Sequence, residues 1–220
     1  AIVAYRDVHR IKSELLSRSP DDRDAVERLL ISNGILGRTL ALCGAEVAAT
    51  KHVREAVGAA RDLVAFDAKQ ADWRFWLGKY GLQLGGIARG AGRLQEAAGH
   101  DAEAVRVLSG LVATDETNSA WQRELASAQV ESARLRLALG ESASAEQLLE
   151  AALATLAREG EAGRGDRNLR LLEAQALIVR GQLAARSNER AAAREHWTQA
   201  REVIANDVRV GANPNFLSVR

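Results

Sequence analysis

Several things are missing from this sequence, and each absence narrows what the chain can be. It has no methionine, two prolines, a single cysteine and few aromatic residues, and β-branched residues are scarce. Scarcity of proline removes the commonest helix breaker, and both Pro20 and Pro214 lie outside the strongly periodic segments. Cys43 has no partner for an internal disulfide, and its apolar surroundings (Leu40-Ala41-Leu42-Cys43) predict a buried, inert thiol. No apolar run approaches the ~20 residues that cross a bilayer, and there is no signal peptide, so the expected location is cytoplasmic. Thirty basic against 29 acidic residues leave a net charge of +1, which excludes whole-chain attraction to nucleic acid or a membrane surface. The lack of a methionine even at position 1 leads us to expect a segment excised from a longer protein.

What is abundant is Ala, Leu, Arg and Glu. These side chains lose little freedom on entering a helix, and the chain reads as all-α. Sliding the sequence against itself gives one register, an offset of 48 residues. Leu63-Val64-Ala65-Phe66-Asp67 falls on Leu111-Val112-Ala113-Thr114-Asp115, and Trp73 falls on Trp121. Four columns carry the register. The first is Gly37, Gly85, Ala133 and Gly181, where a small residue within a helix admits a close neighbour despite the ~1 kcal/mol that Gly costs there. The second is Gly44, Gly92, Gly140 and Asn188, residues that tolerate the left-handed backbone ending a helix. The third (Ala49, Ala97, Ala145, Ala193) and fourth (Ala56, Ala104, Ala152, Ala200) lie two turns apart on one face of the following helix, where a methyl group permits tight packing.

At these columns the sequence resembles the tetratricopeptide (TPR) repeat family: a small residue in a first helix, Gly or Asn at the turn, then two Ala seven apart in a second helix. An apolar residue between the two Ala also fits at Val53, Leu149 and Trp197, with Asp101 the departure. The unit here is longer than the family's, and the family's proline after the second helix is absent. The resemblance implies an α-α superhelix, a TPR-like solenoid of antiparallel helix pairs.

Helix pairs are expected over 22–43 and 46–66, 70–91 and 94–114, 119–139 and 142–158, and 167–186 and 189–206. Ser119 with Gln122 reads as a capping box, and Asn188 as a cap for the helix after it. As a single repeat domain, the chain divides into a preceding second helix (1–18), full units 19–66, 67–114, 115–162 and 163–210, and the start of a further unit (211–220). Such repeats bury their apolar faces only against neighbours, so the array is expected to continue beyond both ends.

Little suggests catalysis. His52, His100 and His196 share a column, but equivalent residues in adjacent units sit about one helix spacing apart, ~8–10 Å, too far to share one zinc. They are expected to be solvated, and no metal or other cofactor is expected. The glycine-rich run from Gly78 to Gly92 lacks the preceding strand of a phosphate-binding loop; it is read as a helix-packing surface and the place where the array would bend. Trp73, Trp76, Trp121 and Trp197 are assigned to packing between helices, and Arg164-Gly165-Asp166 to a loop. No nucleophile–base pair stands out, and the chain is not expected to be an enzyme.

In the TPR family the first helices line a concave groove. That resemblance places Ile31, Gly34 and Arg38 there, with Lys79, Leu82 and Arg89, then Ser127, Val130 and Arg134, then Gln175, Ile178, Gln182 and Arg186. Of these, Arg38, Lys79, Leu82, Arg89, Val130, Arg134, Ile178, Gln182 and Arg186 are the expected partner contacts. Basic and apolar residues alternate without an acidic one, which points to an acidic or amphipathic protein or peptide. The leading function is a protein-interaction or sensory scaffold of a bacterial multidomain signalling protein. The alternative is a regulatory or substrate-docking segment of an enzyme, such as a serine/threonine kinase, whose catalytic domain lies outside these residues.

Overall fold

The computed structural model describes residues 2–18, 22–162 and 167–211, with side chains for 3–14, 16–18, 22–158 and 167–205. Among these residues there is no strand, and nine helices follow in order: α1 (Ile2–Arg18), α2 (Arg23–Leu42), α3 (Glu46–Phe66), α4 (Ala71–Gly90), α5 (Leu94–Val112), α6 (Ser119–Ala138), α7 (Ser142–Ala162), α8 (Arg167–Arg186) and α9 (Arg190–Gly211). The expected pairs are α2/α3, α4/α5, α6/α7 and α8/α9, each member packed on the other. No described helix is long and apolar enough to cross a membrane. Pro20, Pro214, Gly163, Gly165, the tripeptide 164–166 and nearly all of the expected further unit at 211–220 lie outside the described residues.

The chain forms two compact units, Ala1–Glu116 and Thr117–Arg220. In the first, α1 packs on α2, α3 on α4, and the two first helices α2 and α4 touch. In the second, α7 packs on α8 and the first helices α6 and α8 touch. Each unit has a core of its own, built on Leu30, Leu36, Leu40, Val53, Leu63 and Leu84 in the first and on Val130, Leu149, Leu156, Val179 and Leu183 in the second.

The column residues show why the helices pair where they do. Gly44, Gly92, Gly140 and Asn188 have φ of 75°, 76°, 85° and 62°. The amide after each left-handed residue reaches back five positions: Ala45 to Leu40, Arg93 to Ala88, Glu141 to Arg136 and Glu189 to Ala184, all at 2.9 Å. This Schellman arrangement satisfies otherwise orphaned carbonyls and turns the chain into the second helix. Asn188 therefore closes α8 through its own left-handed backbone.

A Cβ on Gly37 would strike Val53, one on Gly85 would strike Asp101, and one on Gly181 would strike Trp197. Each is the residue lying between the two Ala columns of the same pair. The small residue is thus the socket and the mid-helix side chain the plug, with Ala133 and Leu149 occupying the same positions and almost fully buried. All eight column alanines are at most 2% exposed.

Two local expectations, those for Cys43 and for the cap of α6, are corrected. Cys43 is exposed, because α2 ends at Leu42 and the thiol sits on the capping residue, past the last turn that faces the core. The glycine-rich run lies almost wholly within one unbroken helix, since α4 is continuous to Gly90, and it packs closely: a Cβ on Gly78 would lie 2.6 Å from Leu108 Cγ. The cap of α6 is Asn118, one residue before Ser119; its side-chain oxygen accepts from the Trp121 amide at 3.2 Å.

Candidate partner-binding faces

In a helix pair, the face of the first helix turned away from its partner is the one left open. On α2 this stripe carries Ile31, Ile35, Arg38 and Leu42, with Arg38 exposed and Ile35 and Leu42 exposed to 41% and 80%. On α4 it carries Phe75, Trp76, Lys79, Gln83 and Gly86, all half-buried. An aromatic cluster anchors the two helices to each other. The Trp73 and Trp76 indoles donate to the two carboxylate oxygens of Glu27, at 3.0 and 3.3 Å. Tyr80 stacks on Trp76, lies over Gly34 where a Cβ would collide, and donates to the Ile31 carbonyl at 3.4 Å. Lys79 lies over the Phe75 and Trp76 rings, 5.3 and 5.4 Å from their centroids, a cation–π arrangement that leaves its charge near the open face.

In the second unit the stripe on α8 runs through Leu171, Gln175, Ile178, Gln182 and Arg186, all exposed. On α6 the corresponding residues are Glu124, Ser127, Glu131 and Arg134. The two helices together bring Arg134, Gln182 and Arg186 to one shallow cavity, closed by Leu137, Ala138, Ala185 and Trp197. Arg186 donates to the Leu137 carbonyl at 2.5 Å, placing its cation at the C-terminal end of α6 where the helix dipole favours it.

Three of the sequence-assigned contacts have other roles. Val130 is fully buried in the second unit's core, and Leu82 is 8% exposed. The column they share with Gly34 faces into helix packing. Only Ile178 in that column is exposed, at 37%. Arg89 forms an ion pair with Asp101, whose side chain is 2% exposed. Asp101 is the plug over Gly85, so the acidic departure from an apolar column is answered by a guanidinium from the paired helix. Both departures occur in one repeat, since the positions equivalent to Arg89 are Ala41, Leu137 and Ala185; that coincidence was the available signal. The strip is also not free of acid: Arg134 pairs with Glu131 at 3.2 Å. Gln83, which donates to the Gly34 carbonyl at 3.1 Å, and the exposed Ile35 each stand one position beyond the face expected on α4 and α2.

Several solved structures share this arrangement of helices. BtubC (BKLC) from P. vanneervenii matches with a TM-score of 0.55 at 17% identity, covering 93% of this chain and 90% of that one. A putative kinesin light chain with nearly identical TPR-like repeats from Podosopora anserina matches with a TM-score of 0.57 at 16% identity, covering 94% and 97%. MamA matches at 0.52 and 14% identity, covering 93% and 91%. The fold is a TPR-like helical solenoid. No family model and no curated protein matches the sequence, and identities this low speak for the fold alone.

Proposed function

We propose that this TPR-like chain is a non-catalytic scaffold, built on the 48-residue register, that binds a segment of a protein partner on its open first-helix faces. The observation that carries the reading is the α6/α8 surface. Arg134, Gln182 and Arg186 converge on one cavity beside an exposed α8 stripe whose apolar members are Leu171 and Ile178. An amphipathic segment fits this chemistry: its apolar side would cover Leu171 and Ile178, and its acidic side would meet the two arginines. Exposed ion pairs contribute only ~0–1 kcal/mol each, so the apolar contacts must supply most of the affinity while the charges speed encounter. Arg38 and Lys79, beside Ile35, give the α2/α4 face a similar character. Arg89 is taken up by Asp101 and adds nothing to the binding face in this reading.

The experiment is selection of binding peptides from a displayed library, followed by affinity measurement at low and high salt. Arg134→Glu together with Gln182→Glu should weaken the selected acidic peptides at least about tenfold and flatten their salt dependence. Arg106→Glu, an exposed change on the second helix α5, should leave them unchanged. Retention by the first variant and loss in the second would place the binding surface on the second helices instead.

A further inference from the structure

Three potential metal ligands meet in the first unit without any help from the repeat register. His9 on α1 and His52 and Glu55 on α3 each bring one ligand atom within 4.8 Å of the others. The two imidazole rings lie edge to face with centroids 5.1 Å apart. Glu55 Oε2 lies 3.6 Å from His52 Nδ1, so the carboxylate stands beside the imidazole ring. His9 Nδ1 is buried and has no hydrogen-bond partner among the described residues, so one ring nitrogen is unsatisfied. His52 Nδ1 donates to Asn33 Oδ1 on α2 at 2.9 Å, which leaves Nε2 as the nitrogen with a free lone pair. Such an outer contact orients an imidazole for coordination.

We propose that His9, His52 and Glu55 form a binding site for a zinc-class divalent cation, with a water completing the coordination and the metal tying α1 to α3. The donor set suits a borderline ion: two imidazoles and one carboxylate, with too few oxygens for calcium. Lys51 and Arg6 are near enough to His52 to oppose a bound cation, whereas Glu55 supplies compensating negative charge. The other column histidines have different company: His100 lies 3.8 Å from Glu96, and His196 lies 3.4 Å from Gln199. His9 has no counterpart in their column, and it meets His52 because α1 and α3 both pack on α2.

The test is titration of the full, metal-stripped chain with zinc chloride by calorimetry, with cobalt(II) as a spectroscopic probe. Zinc should bind at one equivalent and raise the melting temperature, and cobalt should develop the visible absorption of a four-coordinate site. His9→Gln and His52→Gln should each abolish the cobalt signal. Glu55→Gln, on an exposed side chain that cannot unfold the protein by its loss, should weaken zinc at least about tenfold. His100→Gln and His196→Gln should change nothing. No uptake by the parent chain, or uptake that survives Glu55→Gln and His52→Gln while failing in His100→Gln or His196→Gln, would overturn the assignment.

Discussion

Replacing Gly37 with alanine sets two energies of opposite sign against each other. Gly37 lies within α2, where Ala is favoured over Gly by about 0.8–1.0 kcal/mol in helix propensity alone. A Cβ there would meet Val53 Cγ2 inside van der Waals contact, and the Ala49 carbonyl and the Val53 amide nitrogen at 3.1 and 3.2 Å. Two of those three obstacles are backbone, and Val53 is itself fully buried, so relief requires α3 to withdraw from α2. Overpacking of this kind costs about 1–3 kcal/mol, and with the backbone in the way the upper end applies. The net expectation is a loss of about 2 kcal/mol. Gly81→Ala is the matched control. Its Cβ would lie 3.7 Å from Ala104 Cβ and 3.9 Å from the His100 carbonyl, ordinary contacts, so the propensity gain of about 1 kcal/mol should survive. Val53→Ala removes the plug at about 2 kcal/mol, and combining it with Gly37→Ala should cost about 1–2 kcal/mol less than the sum. Urea unfolding followed by far-ultraviolet circular dichroism reads all four variants. A Gly37→Ala protein stabilised as much as Gly81→Ala, or strict additivity with Val53→Ala, would refute the socket-and-plug account.

Three other outcomes follow from named contacts. Arg89→Ala leaves Asp101 buried without its guanidinium and should cost about 3–5 kcal/mol, whereas Arg89→Leu with Asp101→Leu should recover most of it, as measured by the same unfolding midpoints. Asn188→Ala puts a Cβ-bearing residue with no local polar compensation at φ 62° and should destabilise by about 1–2 kcal/mol, while Asn188→Gly should be neutral or stabilising in thermal melts. The folded-state pKa of His52 lies below its ordinary 6.5, so the unfolded chain binds more protons on acidification; in metal-free protein this contribution is complete above 6.5 and is lost as pH falls through the folded value. Unfolding midpoints taken from neutral to about pH 5 should therefore decline less in His52→Gln than in the parent chain.

The helix map and the turn positions were legible in the sequence because they depend on local chemistry. A Gly or Asn must stand where φ turns positive, and Ala must stand where two helices touch, whatever surrounds them. Those residues recur at a fixed interval and announce themselves. The rotation of each first helix was harder to read. The family pattern puts Leu82 and Val130 on the open face, yet a helix turns 100° per residue, and a shift of one position carries a side chain from solvent into the interface between helices. Cys43 departs from expectation for a related reason: apolar neighbours predict burial only while the helix continues along the core, and α2 stops one residue earlier. Partnerships between distant residues needed the tertiary structure. Glu27 accepts from two indoles 46 and 49 residues away, and His9 reaches His52 across α1 and α3. No periodicity specifies such pairs, because they depend on how far apart two helix axes settle, and that distance is set by the size of the side chains packed between them.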